Sequence, residues 1–147
     1  MLPLLVLLLL SSPPTSALRL AMPRAELCRH SVLVATGEVT GLETRWSGTR
    51  PGEIETHADV AVDRVLMGQV PEDDLVVVVP GGTLGDLVQW VEDAALLRED
   101  RRYLLLLHPV PGGWAPVGGQ EGAILLLGPQ GDGEAEDQAL ASLAGCR

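Results

Sequence analysis

Between residues 53 and 66 apolar and polar side chains alternate: Ile54, Thr56, Ala58, Val60 and Val62 fall on one side, Glu55, His57, Asp59, Ala61 and Asp63 on the other. Successive side chains of a strand point to opposite faces, so this period predicts an antiparallel strand with one buried and one solvated face. Upstream, Val32, Val34, Gly37, Val39 and Leu42 predict a long strand whose central glycine marks a bulge or sharp bend. Residues 75–79, Leu-Val-Val-Val-Val, predict a strand buried on both faces and stopped by Pro80-Gly81-Gly82. Further strands are expected at residues 102–107, 114–117 and 123–127, with a loop at 46–52, a hairpin loop at 108–113, a turn at 118–122 and a flexible stretch at 128–133.

Two short helices are expected near the ends. Residues 23–30 open with Pro23 and carry Glu26 in the first turn; residues 134–143 turn Ala139, Leu140 and Leu143 inward. Residues 83–100 admit two readings. Leu84, Leu87, Val88, Val91, Ala94 and Ala95 have helical spacing, whereas Leu87, Gln89 and Val91 alternate as in a strand, and strand or irregular structure is favoured. The expected fold class is therefore all-β, a small closed five- or six-stranded barrel of the OB type with short N- and C-terminal helices; an open sandwich is the alternative.

The extreme N-terminus has a different pattern. Residues 2–10 are uncharged Leu, Pro and Val, too short a run for the roughly 20 apolar residues that span a bilayer. A segment of small and polar residues follows, with Thr15-Ser16-Ala17 at its end, so residues 1–17 are expected to be a signal peptide and residues 18–147 a single domain. Cys28 lies too far downstream, after Ala25-Glu26-Leu27, to be a lipidated residue. The expected location is secreted or periplasmic, without membrane insertion after cleavage.

A net charge of −10 opposes binding to nucleic acid or to anionic membranes. All ten basic residues are Arg, and Lys, Asn and Phe are absent, as a GC-rich coding bias would produce. In an oxidising compartment Cys28 and Cys146 are expected to form a disulfide closing most of the chain; free thiols or an intermolecular bridge are the alternatives.

The segments Ser31-Val-Leu-Val-Ala-Thr-Gly-Glu-Val39 and 54–63, with the turn Val65-Leu66-Met67-Gly68, resemble the opening strands of the netrin-like, tissue-inhibitor-of-metalloproteinase superfamily. Val79-Pro-Gly-Gly82, Arg102-Tyr-Leu-Leu-Leu-Leu107 and Gly119-Gln-Glu-Gly122 resemble an uncharacterised bacterial secreted branch of it. The resemblance spans roughly residues 28–127 and implies an OB-like barrel. Inhibition does not carry over: animal inhibitors chelate protease zinc through a cysteine at the mature N-terminus, and Cys28 lies about ten residues inside the expected one.

No catalytic site is expected. His30, His57 and His108 show neither HExxH nor i, i+4 spacing; His57, Asp59 and Asp63 share a strand face that reads as solvated rather than as a metal or acid–base cluster. Gly81-Gly82-Thr83-Leu84-Gly85 lacks the lysine of a phosphate loop, and no Gly-x-Ser-x-Gly occurs. The acidic residues Asp132, Glu134, Glu136 and Asp137 read as helix-dipole partners. What remains is a surface: Trp46 and Trp90, with Thr83 and Leu84, are the candidate partner-binding residues, although the tryptophans fit equally as caps on the core. The expectation is a non-enzymatic protein-binding module without cofactor or metal, a secreted protease being one candidate partner; the alternative is a structural, envelope-associated domain.

Overall fold

A computed structural model describes residues 21–71 and 74–146; the expected signal peptide lies outside the described residues. The chain is mostly β. Two 14-residue strands, β1 (Leu33–Trp46) and β2 (Ile54–Met67), form a long antiparallel ribbon. Their connection is closed by Ser47, whose backbone N–H donates to the Glu53 carbonyl and whose hydroxyl accepts from the Arg50 N–H. β3 (Leu75–Pro80) pairs with β2. A small hairpin of β4 (Gly82–Leu84) and β5 (Leu87–Gln89) follows, then an irregular stretch. β6 (Arg102–Val110), β7 (Gly113–Pro116) and β8 (Ala123–Leu125) complete the sheet, with α1 (Arg24–Arg29) and α2 (Glu136–Ala141) near the two ends.

The sheet order is β1-β2-β3-β7-β6-β8, and an additional β1–β6 pairing closes β1, β2, β3, β7 and β6 into a ring of five strands. β1 achieves this by using both edges. Residues 33–38 pair with β6, while its length from Val34 to Trp46 pairs with β2. The sharp curvature is taken up by register shifts at Val34/Ala35, Thr36/Gly37 and Val39/Gly41. Gly37 is required there, since a Cβ would lie 2.7 Å from both the Ala61 carbonyl oxygen and Val60 Cγ1.

Side-chain alternation divides the core in two. Leu33, Ala35, Val39, Ala58, Val60, Leu75, Val77, Tyr103, Leu105 and Leu107 pack together in one cluster. Val34, Leu104, Leu106 and Leu126 pack instead with Leu27 and Cys28 of α1 and with Ala139 and Leu143 at the C-terminus. The unbroken run Leu104–Leu105–Leu106–Leu107 is thereby explained: the even residues serve one cluster and the odd residues the other, so β6 has no solvated face along this run.

Three expectations are corrected. The alternation in β2 fails at the bulge that leaves Asp63 unpaired in the ladder, and His57, placed on a solvated face by its period, is only 9 % exposed. The hairpin loop expected at 108–113 is shorter, because β6 runs through His108 and Pro109 to Val110 and turns only at Pro111-Gly112. The strand expected over 123–127 ends at Leu125. Residues 128–133 form a turn closed by the Gly131 N–H to the Gly128 carbonyl and the Gly128 N–H to that of Asp132.

Cys28 and Cys146 lie at disulfide distance, their Cα atoms 5.6 Å apart across 118 residues of sequence. Constraining so long a loop in the unfolded chain contributes about 3–5 kcal/mol. The Cys28→Ala, Cys146→Ala double variant is expected to lose about that much stability in urea unfolding while keeping the far-UV signature of the sheet. A loss below about 1 kcal/mol would show that the helices are held without the bridge.

Candidate protein-binding surface

β3 ends at Pro80, and two glycines then fold the chain back over the ribbon. Gly81 and Gly82 have φ of +88° and +136°, conformations that residues with a Cβ rarely adopt. Space makes the same demand at Gly82, where a Cβ would sit 2.5 Å from Thr56 Oγ1 and 2.9 Å from Thr44 Cγ2. The β4–β5 hairpin can therefore lie close on the ribbon, and polar contacts fix it. The Gly81 N–H donates to the Ile54 carbonyl (2.7 Å), the Thr56 hydroxyl to the Gly81 carbonyl (2.8 Å), and the Thr44 hydroxyl to the Thr83 carbonyl (2.6 Å). The Ile54 N–H donates to Gln89 Oε1 at 2.5 Å.

These contacts identify the face that the hairpin covers. Thr44 pairs with Thr56 and Trp46 with Ile54, so Trp46 projects from the face that carries Thr44 and Thr56. Beyond β5 the irregular segment is pinned by the buried side chains of Ala95 and Leu97. A cavity of about 280 Å³ opens between Val79 and Pro80 on one side and Val88, Trp90, Val91 and Leu96 on the other. Its lining is apolar and open to water, Val88 and Trp90 each being 74 % exposed and Leu96 65 %, while Trp46, 52 % exposed, stands on the ribbon and does not line it. Neither tryptophan seals the core.

Of the four residues singled out from sequence, Thr83 and Trp90 line this cavity, Leu84 lies in the same hairpin, half-buried, and Trp46 stands on the ribbon face that carries Thr44 and Thr56. Leu96 was missed, whereas Leu87 and Val88 belong to the segment 81–90 that the sequence offers for partner binding, without being singled out in it. Their apolar character was legible, but only the fold shows that these apolar side chains have no core to enter.

The other sequence candidates separate. His57 Nε2 lies 2.9 Å from Glu55 Oε1, while Asp63 is engaged elsewhere, accepting from the Thr36 hydroxyl and from Arg102 Nε (2.9 Å). His30 is exposed on the turn after α1, and His108 is half-buried in β6. No group of three or more potential metal ligands occurs among the described residues. Glu136 and Asp137 stand in the first turn of α2, as the helix-dipole reading requires, and three of the C-terminal acids are in addition specific partners of arginine. Asp132 bonds Arg101, Glu134 is bidentate on Arg24 (2.5 and 2.8 Å), and Glu136 is bidentate on Arg102 (3.0 and 3.3 Å). Asp137 makes no ion pair among the described residues.

Arg102 thus holds a carboxylate of the β2 bulge and one of α2 at once. Burial pushes the Asp63 carboxyl up, but the hydrogen bonds from Arg102 and Thr36 outweigh it and hold Asp63 below its ordinary value. The Arg102 hydrogen bond likewise depresses Glu136, and Arg102 itself is raised by the same two carboxylates. No helix among the described residues is long and apolar enough to cross a membrane. No family model matches the chain, and no curated protein or solved structure matches it.

Carboxylates depressed by folding contribute stability that is present above their unfolded pKa values and lost as pH falls through the folded ones. The urea midpoint is therefore expected to be level above about pH 5 and to decline from about pH 4 downward. Arg102→Leu should make that acid limb shallower, because Asp63 and Glu136 then titrate nearer their ordinary values. An acid limb of unchanged slope in Arg102→Leu would deny the arginine this role.

Proposed function

We propose that this chain is an exported, OB-type domain that binds another protein through the apolar surface around Trp90, and that it catalyses no reaction. The observation that carries the reading is that Val88, Trp90 and Leu96, all exposed, line one cavity, with exposed Leu87 in the same hairpin and exposed Trp46 on the ribbon face that the hairpin covers. Exposed apolar side chains gathered in this way on a soluble domain mark interaction sites, and a tryptophan beside a concave apolar wall is a frequent energetic anchor.

The OB-type assignment is supported by the order of the ring, β1-β2-β3-β7-β6 and back to β1, antiparallel except where Val77 of β3 meets Trp114 of β7 in parallel. Five strands, closed and with a bulged first strand shared by two neighbours, fit that class of small Greek-key barrel. The netrin-like resemblance is proposed on the same ground, with a secreted protease as one candidate partner. Export is supported by Cys28 and Cys146 standing at disulfide distance, which suits an oxidising compartment.

A benzophenone side chain introduced at Trp90 is expected to crosslink one discrete protein in the exported fraction, whereas the same group at exposed His30 crosslinks none. Trp90→Ala should reduce co-purification of that protein at least about tenfold, with the melting temperature changed by no more than about 2 °C. Equal crosslinking from both positions, or none from either, would contradict a binding role for this surface and favour a structural domain.

A further inference from the structure

Among the described residues the charged side chains on the segment around Trp90 are mostly acidic. Residues 81–100 carry Asp86, Glu92, Asp93, Glu99 and Asp100 against a single base, Arg98. Arg98 is directed away, its guanidinium 3.9 Å from Asp132. The two arginines at the tip of the ribbon are also matched within their own strands and loop, Arg45 with Glu43 (3.3 Å) and Arg50 with Glu53 (3.5 Å). Asp86, at the tip of the β4–β5 hairpin, and Glu92, just beyond Trp90, are exposed and make no hydrogen bond or ion pair among the described residues. Glu92 lines a second, adjacent hollow, which shares Val79, Pro80, Val91, Ala94 and Ala95 with the cavity beside Trp90, so the carboxylate stands next to that cavity's wall.

An apolar floor with an acidic rim fits one kind of occupant. The floor desolvates aliphatic or aromatic side chains, and the rim, reinforced by the net charge of −10, attracts cations and repels carboxylates and phosphates. Resting on the protein-binding reading above, we propose that the groove between the β4–β5 hairpin, Pro80 and residues 91–97 binds a polypeptide segment with an apolar centre flanked by lysine or arginine. Its apolar side chains enter beside Trp90 and Val88, and its basic flanks meet Asp86 and Glu92.

The test uses the oxidised, purified chain and three fluorescein-labelled peptides, read by anisotropy. Lys-Lys-Leu-Trp-Leu-Lys-Lys is expected to bind at least about tenfold more tightly than Glu-Glu-Leu-Trp-Leu-Glu-Glu and than Lys-Lys-Gly-Ser-Gly-Lys-Lys. Raising salt from about 0.05 M to about 0.5 M should weaken it several-fold, because exposed charges are screened within a few ångströms at the higher value. Asp86→Asn with Glu92→Gln should cost about fivefold through the rim. Trp90→Ser and Val88→Ser should each cost at least about tenfold through the floor. Both of the latter positions are mostly exposed, so their melting curves should be unchanged.

Equal affinity for the peptide without an apolar centre would reduce the effect to general acidity and overturn the proposal, as would preference for the glutamate-flanked peptide or indifference to both Trp90→Ser and Val88→Ser. A protein crosslinked at residue 90 through a segment lacking basic residues would also overturn it, yet leave the protein-binding reading standing. Absence of any crosslink would remove that reading first.

Discussion

Everything in this fold hangs on β1 being paired along both edges over residues 34–38. A strand with two neighbours in a ring of only five must curve strongly, and β1 does so through successive register shifts around Gly37. Closure then decides where the rest of the chain can go. Above residue 38 the ribbon outruns β6, leaving part of its face uncovered, and the Gly81-Gly82 reversal lays the β4–β5 hairpin there. The apolar groove is built at that uncovered end, on a frame whose strands are held by backbone hydrogen bonds rather than by loop packing.

The acidic character of the chain is used in two distinct ways. At the end with α1 and α2, Asp132, Glu134 and Glu136 each take an arginine from a different part of the sequence: Arg101, Arg24 and Arg102. With Cys28 and Cys146 they clasp α1, the start of β6 and the C-terminal segment over the second core cluster. These pairs are partly exposed, so their value is modest singly and lies in fixing which surfaces meet. At the hairpin end the exposed carboxylates of Asp86 and Glu92 have no such partners among the described residues.

Much of this was legible in the sequence. The long strand at 53–66, the β-branched run at 75–79 and the leucine run at 102–107 each had a pattern that one packing environment explains, and the two terminal helices were marked by proline and by inward-facing alanine and leucine. Misreadings arose where a non-local contact overrode a local period. His57 is covered although its neighbours on that face, Asp59 and Asp63, are exposed, and the bulge at Asp63 shows only in the pairing of β2 with β1. Pro109 reads as a loop residue, but in the strand it is exposed and pairs with Trp114, so β6 continues through it. The arginine partners of the C-terminal acids lie at least 31 residues away, beyond the reach of any spacing rule. For the candidate site, Trp46, Thr83, Leu84 and Trp90 were legible as apolar or turn chemistry in irregular surroundings. That they converge on one end required the ring.

The most direct test of the account is therefore the closure itself. In a nuclear Overhauser spectrum of the oxidised protein, cross-strand contacts are expected between Ala35 and Leu105 and between Gly37 and Tyr103, together with those joining Ala35 to Val65 and Gly37 to Val62. Observation of both sets places β1 between β2 and β6 and supports a ring with the groove at its open end. Contacts to β2 alone, with the β6 edge of β1 exchanging its amide protons freely, would mean an open sheet, and the groove as described would not exist.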